Sequence, residues 1–146
     1  MAALTDAEVE YALCGGLAVN VYGHVRATMD IDVLVPSSEV DRALGALRPL
    51  GYSFDAGAIP FDVGTPKARE VRRISRVEGG DFLSVDLLVV TPVFEGVWSS
   101  RTRVTWNGRS LPIVSREGLL AMKRVASRAQ DLADIERLEE LGDDDR

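Results

Sequence analysis

The sequence predicts an α+β fold, a mixed β-sheet with helices packed on one face, in a single domain spanning residues 1–146. Three observations point there. Asp30 to Val35 is a β-branched run closed by Pro36, the pattern of a strand. Gly79-Gly80 and Asn107-Gly108 each separate two strand-like runs, where a tight turn needs residues that tolerate positive φ. Helical-period stretches are scattered among these strands without the strict alternation that builds a parallel sheet.

Thr5-Asp6-Ala7-Glu8 has capping-box spacing and predicts a short opening helix. Tyr11 to Cys14 reads as a brief strand, Gly15-Gly16 interrupts it, and Leu17 to Tyr22 gives about two helical turns before Gly23. After the strand at 30–35, Ser37 or Ser38 caps a helix carrying Val40, Leu44 and Leu47, which Pro49 and Gly51 stop. Residues 55–68, with their prolines and glycines, read as a loop. Val71 to Val77 and Phe82 to Val90 form a hairpin pair, and Val104 to Trp106 with Leu111 to Val114 form a second. Ser115 caps a helix containing Leu119, Met122 and Ala126. A last helix carries Leu132, Ile135, Leu138 and Leu141 on one stripe, and residues 138–146 read as an acidic, partly frayed tail.

A chain of 146 residues buries enough surface to fold without staples. Its single cysteine, Cys14, lies in an apolar stretch and reads as a buried, reduced thiol. No apolar run approaches the roughly 20 residues that span a bilayer, and the acidic start lacks the marks of a signal peptide. These features predict a cytoplasmic protein with no membrane contact. The formal charge of −6 argues against broad, sequence-blind attachment to nucleic acid. Within that average, Arg69, Arg72, Arg73 and Arg76 crowd into eight residues, a local basic patch or a solvated face.

The chemistry concentrates in carboxylates. Asp30 and Asp32 are two apart on a strand, so both leave the sheet on one face while Ile31, Val33 and Val35 take the other. Two like charges forced together call for a shared proton or a hard cation with oxygen ligands. Asp86 interrupts the otherwise apolar strand Phe82 to Val90, and an ionised carboxylate there needs a partner. That partner is either a metal shared with Asp30 and Asp32, if the two strands are neighbours, or an arginine such as Arg73 or Arg101. Taken alone, Asp-x-Asp is common without any function.

Gly15-Gly16 between strand and helix leaves backbone N–H groups open to an anion, phosphate above all. Thirteen residues separate Gly16 from Asp30, and Arg26-Ala27-Thr28 precedes Asp30-Ile31-Asp32. With Asp86 in Ser84-Val85-Asp86-Leu87-Leu88, this ordered set resembles the signature of the polymerase-β-like nucleotidyltransferase superfamily. Toward the end, Lys123 and Arg128-Ala129-Gln130-Asp131-Leu132-Ala133-Asp134 resemble the helix pair of its AbiEii-like and aminoglycoside- or lincosamide-modifying branches.

The resemblance implies magnesium- or manganese-dependent transfer of a nucleoside monophosphate from a nucleoside triphosphate to a hydroxyl on RNA, protein or a small molecule. It implies that Asp30, Asp32 and Asp86 hold metal and carry catalysis, that Gly15 and Gly16 bind triphosphate, and that Lys123 neutralises phosphate charge. An exposed helical lysine is the plain alternative for Lys123. Arg26 and Thr28 brace the loop before Asp30, and Asp131 and Asp134 pair with Arg128 or Arg137 to lock the last helices. Gly16 stands where many members have serine, Gln130 where lysine is common, and there is no room for a substrate-binding domain. The acceptor must therefore be met by this domain, a homodimer mate or another protein. A non-catalytic or partner-dependent component of a toxin–antitoxin pair is the alternative function.

His24, the only histidine, reads as a loop residue bonded to backbone. Trp98, Trp106 and Phe94 read as core or interface aromatics before base-stacking ones.

Overall fold

A computed structural model of the chain describes residues 1–24 and 30–144. Arg26 and Thr28 lie outside the described residues. The elements are α1 (Ala2–Asp6), β1 (Ala12–Cys14), α2 (Gly15–Val21), β2 (Asp30–Val35), α3 (Val40–Leu47), β3 (Phe54–Phe61), β4 (Arg69–Glu78), β5 (Asp81–Val89), α4 (Glu95–Ser99), β6 (Thr102–Trp106), β7 (Arg109–Ile113), α5 (Arg116–Ala126) and α6 (Ala129–Asp144).

The seven strands form one mixed sheet in the order β3-β4-β5-β2-β1-β7-β6. β2 runs parallel to β5 and β1 parallel to β7, while the remaining neighbours are antiparallel. Both hairpins expected from sequence are present: Gly79 and Gly80 have φ of 58° and 89°, Asn107 and Gly108 of 51° and 77°. Because side chains alternate, one face of the central strands carries Asp30 and Asp32 of β2, Asp86 of β5 and Arg73 of β4. The reverse face carries Val33, Val35, Ile74, Val85, Leu87 and Val89, all buried.

The helices and the chain beside them meet the sheet at two places on β4. On the aspartate face α5 reaches β4, where the Arg69 guanidinium donates to the backbone oxygen of Val125 at 3.2 Å. On the reverse face the chain leaving α3 meets β4, with Arg76 donating to the backbone oxygen of Leu50 and stacked over Tyr52. The buried apolar residues of α3, Val40, Ala43, Leu44 and Leu47, belong to the same core as Ile74 and Leu87.

Two local expectations are corrected. Residues 54–61 form edge strand β3, where the sequence suggests a loop; an edge position tolerates Pro60, which has no N–H to donate. A bulge between Asp55 and Ala58 absorbs Gly57, whose φ is +75° and whose N–H donates to the Asp55 carboxylate at 2.7 Å. α1 ends at Asp6, so Thr5 caps nothing; its hydroxyl pairs instead with that of Tyr11 at 3.0 Å. α6 runs to Asp144, and Leu138 within it is wholly buried. By contrast Ser115 caps α5, accepting from the N–H of Gly118 at 3.0 Å.

Candidate functional site

β2 and β5 are adjacent and parallel, and their register sets Asp32 directly opposite Asp86 and Asp30 opposite Ser84. Neighbouring strands lie about 4.8 Å apart, so the two carboxylates open on the same face side by side. The alternation in β2 adds Asp30 to that face. The three aspartates singled out by sequence therefore converge on one wall of a cleft of about 540 Å³.

The glycine turn reaches the same place from β1. Cys14 pairs with Asp32 across the β1–β2 ladder, so Gly15, the next residue, passes against the Asp32 side chain. Gly15 has φ of +65°, and a β-carbon there would stand 2.0 Å from Asp32 Oδ2 and 2.6 Å from Asp32 Cβ. Glycine is thus required twice, by backbone conformation and by lack of space. Gly16 is buried in the first turn of α2.

Electrostatically the site is unbalanced around Asp32. Burial, then Asp86, then Asp30 raise its pKa from 3.8 to about 7, against smaller lowering by Lys123 and Arg128. Asp86 is differently placed. It is buried, and Arg73 of β4, opposite it in register, donates Nε to Oδ1 at 2.7 Å and Nη2 to Oδ2 at 2.9 Å. This two-pronged pair raises the arginine pKa further and neutralises the third carboxylate. The arginine partner that sequence held open for Asp86 is therefore Arg73. Among the described residues no group of three or more His, Cys, Asp or Glu side chains is arranged to hold a metal ion.

Lys123 is not the exposed helical lysine of the plain reading. It is 5% exposed, and its ammonium lies 3.3 Å from Asp131 Oδ1 and 3.0 Å from Asp134 Oδ2, both carboxylates buried. Asp131 also accepts from the backbone N–H and the Nε of Arg128, at 3.1 and 2.7 Å, so Arg128 does lock onto α6 as expected. Arg137 pairs with Glu140 instead. Gln130 donates to Asp134 at 2.9 Å, and His24 Nε2 lies 4.0 Å from the same carboxylate, not on a backbone group as expected. Lys123 stands behind the cleft, its charge reaching both Asp32 and the buried Cys14 thiol, whose pKa burial pushes up.

The four clustered arginines do not make one patch. Alternation along β4 sends Arg69 and Arg73 to the aspartate face and Arg72 and Arg76 to the reverse. Each has its own acid: Asp62 at 3.2 Å, Asp86, Asp55 at 3.1 Å and Glu78 at 2.9 Å respectively. Sequence reading missed Phe61 and Arg69 as cleft walls, because a segment read as loop gives no face on which to place them. Of the aromatics, Phe94 is buried and lines the cleft, Trp98 stacks on Arg101 and Trp106 is exposed on the second hairpin.

A seven-stranded mixed sheet with acidic β2 and β5 side by side and a glycine turn beside them defines a nucleotidyltransferase fold, and comparison with solved structures bears this out. An antigenic nucleotidyltransferase-like protein from Paracoccidioides brasiliensis superposes with a TM-score of 0.55 at 21% identity, over 94% of this chain and 71% of that one. ANT(2")-Ia in complex with adenylyl-2"-tobramycin gives 0.53 at 14% identity, over 96% and 88%. The antibiotic-resistance factor ANT(2")-Ia in solution gives 0.55 at 15%, over 96% and 83%. No family model and no curated protein matches the chain. No helix among the described residues is long and apolar enough to cross a membrane.

Proposed function

We propose that this chain is a magnesium- or manganese-dependent nucleotidyltransferase, moving a nucleoside monophosphate group from a nucleoside triphosphate to a hydroxyl acceptor. The observation that carries the reading is the register of β2 against β5, which stands Asp32 beside Asp86 with Gly15 packed on the Asp32 carboxylate. Carboxylate oxygens are the donor set hard divalent ions take, and Asp32, whose pKa is raised first by burial and then by the charges of Asp86 and Asp30, is a carboxylate whose ionised form such an ion would stabilise. Asp30 and Asp32 supply oxygen ligands of the kind such an ion takes. Asp86 fits while bound to Arg73, because a carboxylate offers about four lone-pair sites and the guanidinium engages two.

When bound, divalent metal would activate the attacking oxygen and offset the charge of the triphosphate. The chain's own residues do the rest. Backbone N–H groups of Gly15 and Gly16 hold the triphosphate, with no side chain to keep it at a distance. Asp30, Asp32 and Asp86 would hold the divalent ion, and Asp86, held rigid by Arg73, helps remove the proton of the acceptor hydroxyl. Lys123 contributes its charge from behind the cleft while Asp131 and Asp134 hold it in place. The structural neighbour ANT(2")-Ia, crystallised in complex with adenylyl-2"-tobramycin, supports nucleotidyl transfer as the reading for this chain.

A second reading is favoured by the Arg73–Asp86 pair: a nucleotidyltransferase-like component, as in a toxin–antitoxin pair of the AbiEii-like branch, that works only with a partner. A protein or RNA drawing Arg73 away would free Asp86 for the other two acids.

The test is incubation with labelled nucleoside triphosphates and magnesium, alone and with cell extract, for wild type, Asp30→Asn and Asp32→Asn. Label on RNA, protein or a small molecule is expected from wild type, with loss of at least 100-fold in both variants. Undiminished transfer by both variants overturns the reading, and transfer seen only with extract favours the partner-dependent form.

A further inference from the structure

We infer that Arg73 stands in for a second metal ion, so that this site takes one divalent cation per chain and the guanidinium supplies the other positive charge. The inference rests on the nucleotidyl-transfer reading and states how its need for cations is met. Phosphoryl-transfer sites that use a pair of ions hold them roughly 3.5–4 Å apart. Here the strand registers set Asp32 of β2 level with Asp86 of β5, and Asp86 level with Arg73 of β4. Across the sheet the row therefore reads carboxylate, carboxylate, guanidinium, with a covalently fixed cation at its end.

That cation engages both oxygens of Asp86, Nε on Oδ1 at 2.7 Å and Nη2 on Oδ2 at 2.9 Å. An arginine keeps its charge at every working pH. Its hydrogen bonds to Asp86, and then the charges of Asp86, Asp30 and Asp32, raise its pKa still further. Asp86 and Arg73 together carry no net charge. Asp86 thus keeps lone pairs for an ion held with Asp30 and Asp32, but no uncompensated charge for another. A second dication against Asp86 would also meet the guanidinium as a like charge across a buried carboxylate, where water screens little. The other cations around the cleft are engaged elsewhere: Arg69 by Asp62, Arg128 by Asp131, and Lys123 by Asp131 and Asp134.

The test counts ions. Wild type, Arg73→Met and Arg73→Lys, each of verified fold, are titrated with manganese(II), with and without a stoichiometric non-hydrolysable triphosphate analogue. Electron paramagnetic resonance reads both the number of ions bound and the spin coupling between them. Wild type should bind one ion per chain, uncoupled, in either condition. Arg73→Met should take a second ion about tenfold or more tightly than wild type does, with the exchange coupling of two ions on shared ligands. Arg73→Lys, which keeps the charge, should stay at one. Two coupled ions on wild type, a single ion on Arg73→Met, or two on Arg73→Lys overturns the inference and leaves the nucleotidyl-transfer reading standing. No ion bound by wild type overturns both, so the two failures are told apart, and the wild-type count is decisive whatever the stability of the variants.

Discussion

Gly15 and Asp32 share one volume: the space a β-carbon on Gly15 would fill is occupied by the Asp32 carboxylate, 2.0 Å away at Oδ2. The glycine turn and the acidic strand are therefore one object, and a change to either is felt by both.

Gly15→Ala should cost stability and function together. The left-handed backbone alone costs an alanine roughly 1–2 kcal/mol, and Asp32 must also move because its Cβ, not only its tip, is in the way. Urea unfolding should show a loss of about 2–4 kcal/mol, with nucleotide affinity falling in parallel. A variant as stable as wild type would contradict the packing described.

Asp32 makes stability depend on pH in an unusual direction for an acid. Its folded pKa of about 7 lies above the ordinary 3.8, so the folded state holds the proton more tightly than the unfolded chain does. That contribution is fully present below about pH 4 and disappears as pH rises through about 7. In metal-free buffer Asp32→Asn should therefore stabilise the protein at pH 8, on the order of 1–3 kcal/mol. The advantage should shrink toward pH 4. Thermal unfolding across that range checks it, and an advantage that grows on acidification would reverse the sign.

Lys123→Met should be among the most damaging single changes. It leaves the buried Asp131 and Asp134 carboxylates without their shared ammonium, which typically costs about 3–5 kcal/mol. An exposed lysine replaced the same way would cost within about 0.5 kcal/mol, so denaturant midpoints separate the two outcomes cleanly.

Arg73→Met releases Asp86 beside Asp32 with less positive charge to offset the pair. Without metal the variant should melt below wild type at pH 8, and magnesium should raise its melting temperature by more than it raises that of wild type, because the ion replaces the guanidinium. Equal metal shifts in the two proteins would show that Asp86 takes no part in holding the ion.

Local chemistry was legible in the chain because its causes are local. The two-residue spacing of Asp30 and Asp32 sets them on one face in any strand. Asn107-Gly108 turns tightly because of its own torsional freedom, and the Ser115 hydroxyl reaches an amide three residues on. Strand β3 escaped notice since what makes Pro60 acceptable is an edge position, which no window of sequence contains.

By itself, then, the sequence determined which acids are present, that two of them share a face, and that a glycine turn precedes them. Only the tertiary structure decided that Asp86 lies level with Asp32, that Arg73 holds it, and that Lys123 is buried between two aspartates of the next helix. Those outcomes depend on strand register and helix packing between segments far apart in the chain. A shift of one residue would send every side chain of a strand to the opposite face, and the buried core on the reverse side of the sheet selects the one register that keeps Val33, Val85 and Leu87 out of water.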